Sequence, residues 1–285
     1  ETLENKSTRI FKGFDTGMAD FYVLELVKEK EETFLLYSNE IGEEVEIEKE
    51  LVYKLLKGKD FDSFKARFKG RMLFFPYETN EEGYSLMEIE DIEENYPKAY
   101  NYLKGYEEEL RERQDGKFDD EDWYRFANPR NLHHYSKSKI CTPYNAFEPS
   151  FIFDQEDYMF TTGFAGAYGV ITENSDSDYQ KALTCILNSN FVAMYMEENS
   201  TPMRGNYYSY EKRFIKDIPI PENFHETDLE KLHDDIKSYK KSLNNINLEL
   251  KDYLGSYDEG KTLNDLYTPA SGVSDTPLTD TASDR

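Results

Sequence analysis

The sequence has 285 residues, and its 58 Asp and Glu against 34 Lys and Arg give a formal net charge of −24. This length allows one large domain or two small ones, each with a buried core. No run of about 18 apolar residues exists, which excludes a membrane-spanning helix. The two cysteines, Cys141 and Cys185, are far apart, which argues against a disulfide framework or a Cys-based zinc site and fits a reducing cytoplasm.

The first half of the chain is predicted to mix short strands and helices. Aromatic and β-branched residues predict strands at 9–14, 21–27, 33–38 and 71–77, with a turn over 15–20. The spacing of Ile47, Leu51 and Leu55 predicts a helix over 46–56. Two further helices are predicted over 85–96 and 96–113, the second with Pro97 in its first turn.

The second half repeats this mixture and ends in a long helix. Strands are predicted at 139–144, 150–154, 158–163 and 167–172, helices at 176–190 and 191–199, and extended chain at 213–221. Near-heptad leucines and isoleucines predict a helix over 226–254, either packed on its own domain or serving as a spacer. The predicted fold class is α+β, with mixed short-stranded sheets, packed helices and a long C-terminal helix.

This pattern suggests three segments. A recognition domain is predicted over 1–222, with a possible subdivision near 115–122. The long helix and its flanks occupy 223–256, and a flexible polar tail rich in Ser, Thr, Asp and Pro is predicted over 257–285. The chain starts at Glu1 without a Met and without a signal-peptide pattern, which suggests a fragment of a longer protein.

Basic residues are concentrated in three segments of this acidic chain. Residues 54–71 contain seven Lys and Arg, residues 123–140 contain four and no acid, and residues 201–216 contain four against Glu211. Binding to nucleic acid depends on local charge and not on the average over the surface. Because all three segments also carry aromatic residues, we interpret them as a converging nucleic-acid surface, the alternative being ordinary solvated faces.

Signatures of catalysis are missing from the sequence. It has no GxxxxGK[ST] phosphate loop and no GxSxG elbow. The segment TTGFAGAYG lacks the spacing of a dinucleotide site. Asn128-Pro129-Arg130-Asn131 lacks the second proline and the aromatic residue that an amino-methyltransferase uses to stack on a flipped base. We therefore predict that this chain has no catalytic residue and no metal site.

The order of several motifs resembles one known family. These motifs are FKGFDTGMADFYVL (11–24), EIEKELVYKLLKGKDF (46–61), RMLFFPY (71–77), YPKAYNYLKGYEEELRER (96–113), WYRFANPRN (123–131), SKICTPY (138–144), ALTCILNSNFVAMYM (182–196) and RGNYYSYEKRFIKDIPIP (204–221). Together they resemble the C-terminal specificity domain of TaqI-like adenine-N6 DNA methyltransferases and of type IIG restriction–modification enzymes. The resemblance covers about residues 8–222.

The resemblance implies a sequence-specific DNA recognition module that lacks the catalytic domain of its parent enzyme. The parent would be a prokaryotic, cytoplasmic methyltransferase that uses S-adenosylmethionine, with Mg²⁺ if it also carries a nuclease. Arg204 is the candidate for a base contact, because an Arg pairs bidentately with guanine. The other candidate DNA-binding residues are Gly205, Asn206, Tyr207, Tyr208, Lys212, Arg213, Arg130, Lys137, Lys139, Thr16 and Gly17.

The implied partners are double-stranded DNA and a covalently linked methyltransferase domain, without a membrane, and the long helix offers a possible route to self-association. Two other functions remain open. An acidic DNA mimic would bind a DNA-binding protein, and it would spread carboxylates evenly along one face without needing basic segments. A protein-interaction module built on the 226–254 helix would keep its function when Arg204 and Lys212 are removed.

Overall fold

The structure, a computed structural model, describes residues 1–163, 165–226 and 228–253, except for the side chains of 243, 244 and 246–253. The chain divides into a compact unit over Glu1–Ser238 and a second unit over Tyr239–Arg285. Among the described residues, no helix is long and apolar enough to cross a membrane. The predicted tail at 257–285 lies outside the described residues, and the segment boundaries stay predictions.

The first part of the compact unit is rich in strands. Its elements are β1 (Ser7–Lys12), α1 (Ala19–Tyr22), β2 (Val23–Glu29), β3 (Thr33–Ser38), β4 (Glu43–Glu48), β5 (Val52–Leu56), β6 (Phe61–Asp62), β7 (Lys65–Ala66), β8 (Arg71–Phe74), β9 (Tyr77–Thr79), β10 (Tyr84–Leu86), α2 (Ile89–Asn95), α3 (Pro97–Lys104) and α4 (Glu107–Gly116). The strands β5, β8, β2, β3 and β4 are neighbours in one antiparallel sheet, which β14 extends in parallel at the β5 edge.

The second part contributes the remaining sheets and the longer helices. Its elements are β11 (Lys139–Pro143), β12 (Asn145–Ala146), β13 (Ile152–Asp154), β14 (Met159–Phe160), β15 (Ala167–Thr172), α5 (Ser177–Leu187), α6 (Asn190–Asn199), β16 (Pro202–Met203), β17 (Tyr207–Ser209), α7 (Lys212–Ile215) and α8 (Leu229–Tyr253). A second sheet has the order β1-β15-β11-β13, and a small third sheet has the order β12-β17-β16. The predicted α+β class and the long C-terminal helix are confirmed.

The helix α5 illustrates how the sequence builds the second core. The side chain of Asp176 accepts hydrogen bonds from the backbone N–H groups of Asp178 and Tyr179, which caps the start of the helix. Tyr179, Leu183 and Leu187 then recur every fourth residue and are buried in the cluster that also contains Ile10 and Val170 of the second sheet. Burying each such side chain stabilises the fold by about 1.5–3 kcal/mol.

Three sequence-based element predictions are wrong in detail. Residues 46–56 are not a helix, because β5 pairs with β8 in the register Val52↔Phe74 and Tyr53↔Leu73. The predicted helix over 96–113 is split at Gly105 into α3 and α4. Lys212–Ile215 forms the short helix α7 where extended chain was predicted, because a proline restrains only the residue directly before it.

Candidate functional site

Many basic side chains are neutralised by nearby carboxylates. Ion pairs join Lys54 to Glu156 at 2.6 Å, Arg67 to Asp62 at 2.7 Å, Arg71 to Asp60 at 2.5 Å and Arg213 to Glu211 at 2.9 Å, and a further pair joins Arg125 to Asp120. These cations belong to the three basic segments of the sequence. A basic segment of the sequence therefore does not by itself mark a surface of free positive charge. The cations without a carboxylate partner are the better candidates for binding an anionic ligand.

Four exposed cations converge on one recess, named here the basic recess. Its charged lining consists of Arg9, Lys12, Arg130 and Lys212, with Tyr168 on the wall, and the cavity measures about 440 Å³. Within the described part of the chain, none of these four side chains forms an ion pair with a carboxylate. The concentration of uncompensated positive charge suits an anionic ligand.

Backbone pairing brings these cations together. The end of β1 lies beside β15, with Lys12 opposite Tyr168. A bridge between Asp15 and Asn128 draws the 128–131 segment alongside β1, and the Asn131 amide donates to the carbonyl of Lys12 at 3.2 Å. Asn131 has a φ of +62°, a left-handed conformation that Asn tolerates well. The recess is thus built by segments more than 100 residues apart.

The side chains of the basic recess are oriented by local bonds. Arg130 donates from Nε to the Asn128 side-chain oxygen at 2.7 Å, which leaves the rest of its guanidinium free for another acceptor. Burial, together with the charge of Glu211, raises the pKa of the Tyr168 hydroxyl to about 12, although the backbone N–H of Lys212 opposes this shift. Tyr168 therefore stays neutral at pH 7 and adds no negative charge to the recess.

A second cavity, named here the hairpin recess, contains Arg204. It measures about 810 Å³, and its cations include Lys57, Lys59 and Arg204, while Phe147 and Tyr207 expose their rings to it. The structure thus brings the 54–71 segment to the 201–207 segment. Within the described residues, Lys57, Lys59 and Arg204 form no ion pair with a carboxylate.

The segment that contains the candidate base contact Arg204 is the tip of a β-hairpin. Met203 of β16 pairs with Tyr207 of β17, so that Arg204, Gly205 and Asn206 form the connecting turn. Gly205 and Asn206 have φ values of +81° and +61°. A Cβ at Gly205 would have no neighbour closer than 3.6 Å, so the glycine is needed for its backbone conformation and not for space.

The two tyrosines after the turn point to different environments, as the strand alternation predicts. Tyr207 is 46% exposed and lines the hairpin recess. Tyr208 is half-buried and packs against the second core. Tyr207 is therefore the tyrosine of this pair that is available to a ligand.

The two recesses are lined by residues that lie close together in the second sheet. Pro143 lines the hairpin recess and pairs with Ala167, next to Tyr168 of the basic recess. The rings of Tyr144 and Tyr168 stack with centroids 6.1 Å apart. The convergence of the three basic segments on one nucleic-acid surface stays a prediction.

Two of the predicted DNA-binding residues are inaccessible. Lys139 is fully buried, and its ammonium lies 2.6 Å from Asp154 and donates to the carbonyl of Tyr135 at 2.6 Å. Thr16 is only 2% exposed, and its carbonyl accepts a hydrogen bond from Arg113. The prediction that Lys139 and Thr16 bind DNA is therefore wrong, because both side chains are enclosed by the protein.

The other predicted residues lie nearer the surface. Gly17 is half-buried with a φ of +76°, and a Cβ there would lie 2.6 Å from the Cβ of Ala127. Lys137 is half-buried beside a histidine pair. Burial, with the charges of His133, Lys137 and Arg9, lowers the pKa of His134 to about 4, so this ring is neutral at pH 7. No group of three or more potential metal ligands occurs among the described residues.

Sequence reasoning missed Arg9, Lys12 and Arg113. The first two stand in a predicted strand, where their convergence on Arg130 and Lys212 cannot be read locally. Arg113 is buried and donates hydrogen bonds to the carbonyls of Leu110, Thr16, Trp123 and Arg125 at 2.7–3.1 Å. It therefore ties the end of α4 to the two segments that flank the Asp15–Asn128 bridge.

Comparison with known proteins places this architecture in a family. Residues 53–220 match the family described as the TaqI-like C-terminal specificity domain. The chain belongs to this family. The match includes Arg130, Arg204 and Lys212. Over 251 residues the chain is also 21% identical to the type II restriction enzyme and methyltransferase RM.Eco57I of Escherichia coli, which covers 84% of this chain and 25% of that protein. The chain thus spans about a quarter of the length of this curated relative.

Proposed function

We propose that this specificity domain reads the DNA sequence for an adenine-N6 methyltransferase of a restriction–modification system. The observation that carries the proposal is the distribution of unpaired cations. In a chain of net charge −24, Arg9, Lys12, Arg130 and Lys212 surround one recess, and none of them has a carboxylate partner among the described residues. The family membership and the relationship to RM.Eco57I support the same function.

In the proposal, the two recesses have different roles in binding DNA. Cations on phosphates supply affinity and register, whereas contacts to base edges supply specificity. In the proposal, Lys212, Arg130 and the newly identified Arg9 and Lys12 bind phosphates. Arg204, at the tip of a hairpin, reaches a base edge in the major groove.

The phosphate role of Lys212 can be tested against its neighbour Arg213. Lys212 lines the basic recess, whereas Arg213 is held by Glu211 and packs on Phe214. Lys212→Ala is expected to weaken binding to all duplexes alike and to reduce the slope of log K against log salt by about 0.9. Arg213→Ala is expected to change this slope less. Fluorescence anisotropy at several salt concentrations measures both, and equal slopes for Lys212→Ala and the unaltered chain would contradict the assignment.

Arg204→Ala is expected to act on specificity. Losing a bidentate contact to a base should cost about 1–3 kcal/mol against the cognate site and relax the preference at one position. This change in preference is measured as the methylation of a library of DNA sites by the full-length protein. Lys212→Ala serves as the control because it should lower methylation at all sites equally. A site preference unchanged by Arg204→Ala would reduce Arg204 to an ordinary surface charge.

The methyl transfer itself is assigned to a linked methyltransferase domain, in keeping with the relationship to the restriction enzyme and methyltransferase RM.Eco57I. S-adenosylmethionine, and Mg²⁺ where a nuclease is present, would bind to the rest of such a protein in a prokaryotic cytoplasm. We expect this chain alone neither to bind S-adenosylmethionine nor to methylate DNA. Isothermal titration calorimetry with S-adenosylmethionine tests this expectation, and saturable binding would overturn it.

A further inference from the structure

The hairpin recess contains features that contacts to phosphates and base edges do not use. Phe147 is 62% exposed and Tyr207 is 46% exposed, although large aromatic side chains usually bury their rings. Both line the same cavity. An aromatic surface open to solvent beside lysines is the arrangement on which proteins stack unpaired nucleobases.

The small third sheet carries both rings to the hairpin recess. Ala146, the last residue of β12, pairs with Tyr208 of β17, and Phe147 follows it directly outside the strand. Tyr207 of β17 pairs with Met203 on the neighbouring strand. Both rings therefore line one cavity, where each offers an apolar face to a ligand.

The recess also offers polar groups to a ligand. Lys57, Lys59 and Arg204 line it, and none of the three is paired with a carboxylate among the described residues. Of the two carboxylates in the lining, Asp62 is neutralised by Arg67, which leaves Glu148.

We propose that the hairpin recess binds one nucleotide that has been rotated out of a DNA strand. The base stacks on Phe147 and Tyr207, and the adjoining phosphate contacts Lys57 and Lys59. The cavity of about 810 Å³ is large enough for a base, a sugar and a phosphate. The inference rests on the proposed DNA-reading function, because a strand must lie across this face.

A free nucleotide tests the site independently of duplex binding. The probe is 2-aminopurine 2′-deoxyriboside 5′-monophosphate, whose fluorescence is quenched when its base stacks on an aromatic ring. Quenching is expected with the unaltered chain, and Phe147→Ala or Tyr207→Ala should each weaken binding by about 5- to 100-fold. Phe191→Ala is the matched control, because Phe191 is 54% exposed on α6 and does not line the recess. Equal affinity in Phe147→Ala, Tyr207→Ala and the control would overturn the site.

Duplexes identify the source of the nucleotide. With 2-aminopurine placed in turn at each position of a bound duplex, one position is expected to change its fluorescence on binding, and Phe147→Ala should abolish that change. A free nucleotide that binds while no position of a bound duplex responds would overturn the strand assignment. Failure to bind any duplex would instead contradict the proposed function, while the mononucleotide titration would still report on the recess.

Discussion

Replacing Lys139 by methionine is expected to lower the free energy of unfolding by about 3–5 kcal/mol. Lys139 and Asp154 are both fully buried and lie 2.6 Å apart across the paired strands β11 and β13. Removing the ammonium leaves the Asp154 carboxylate buried, with the backbone N–H groups of Glu156 and Tyr158 as its remaining donors among the described residues. The loss of one partner of a buried pair costs much more than the pair itself contributes.

Urea unfolding followed by circular dichroism measures this effect. Lys137→Met is the matched control, because Lys137 lies two residues away, is only half-buried and has no ion pair among the described residues. Its replacement should change the free energy of unfolding by no more than about 0.5 kcal/mol. A Lys139→Met variant as stable as Lys137→Met would contradict the buried ion pair.

Arg113→Ala is expected to destabilise the protein by a comparable amount, about 3–5 kcal/mol. The guanidinium donates to four carbonyls, and it lies over the ring of Phe118 at 4.2 Å. Burial lowers the pKa of Arg113 because it penalises the charged form of the guanidinium. Without the side chain, the carbonyl of Trp123 loses its hydrogen bond from Arg113, while the carbonyl of Thr16 keeps the one from the backbone N–H of Ala127. The segments that lead to Lys12 and Arg130 then rely on the backbone bridge between Asp15 and Asn128.

Two further variants isolate this role. Arg113→Lys should recover little stability, because an ammonium cannot reach carbonyls on several segments as a planar guanidinium does. Lys117→Ala removes an exposed cation nearby and should leave the unfolding curve nearly unchanged. If Arg113→Lys matched the unaltered chain in urea, positive charge alone would suffice and the proposed role of the four hydrogen bonds would be wrong.

Local sequence patterns predicted the fold where local and tertiary preferences agree. The strands at 33–38 and 167–172 and the capped helix α5 are formed largely as predicted, because their aromatic and β-branched content or capped apolar stripe agrees with the environment in which they are buried. In the 46–56 segment the local and tertiary preferences disagree. Its apolar spacing fits a helix, but Val52 and Tyr53 gain a pairing partner from β8, which lies about 20 residues further on.

The site was predictable only in part for a related reason. Gly205 and Asn206 mark a tight turn by their residue types, and the structure has a hairpin tip there. The burial of Lys139 depends on Asp154, which becomes its neighbour only through strand pairing. The same holds for the basic recess, where Lys12 meets Arg130 and Lys212 through long-range contacts. Charge in a sequence can be counted locally, whereas its compensation is decided by the tertiary structure.

Selection from a pool of random duplexes tests most directly whether this domain reads DNA. The chain and its Arg130→Ala/Lys212→Ala variant are each bound to the pool at low salt, the retained duplexes are sequenced, and circular dichroism checks that both proteins are folded. We expect the unaltered chain to enrich one short sequence and the variant to retain far less DNA of every sequence. A folded chain that binds no duplex, or binds all duplexes without enrichment, would contradict the proposal that this domain reads DNA.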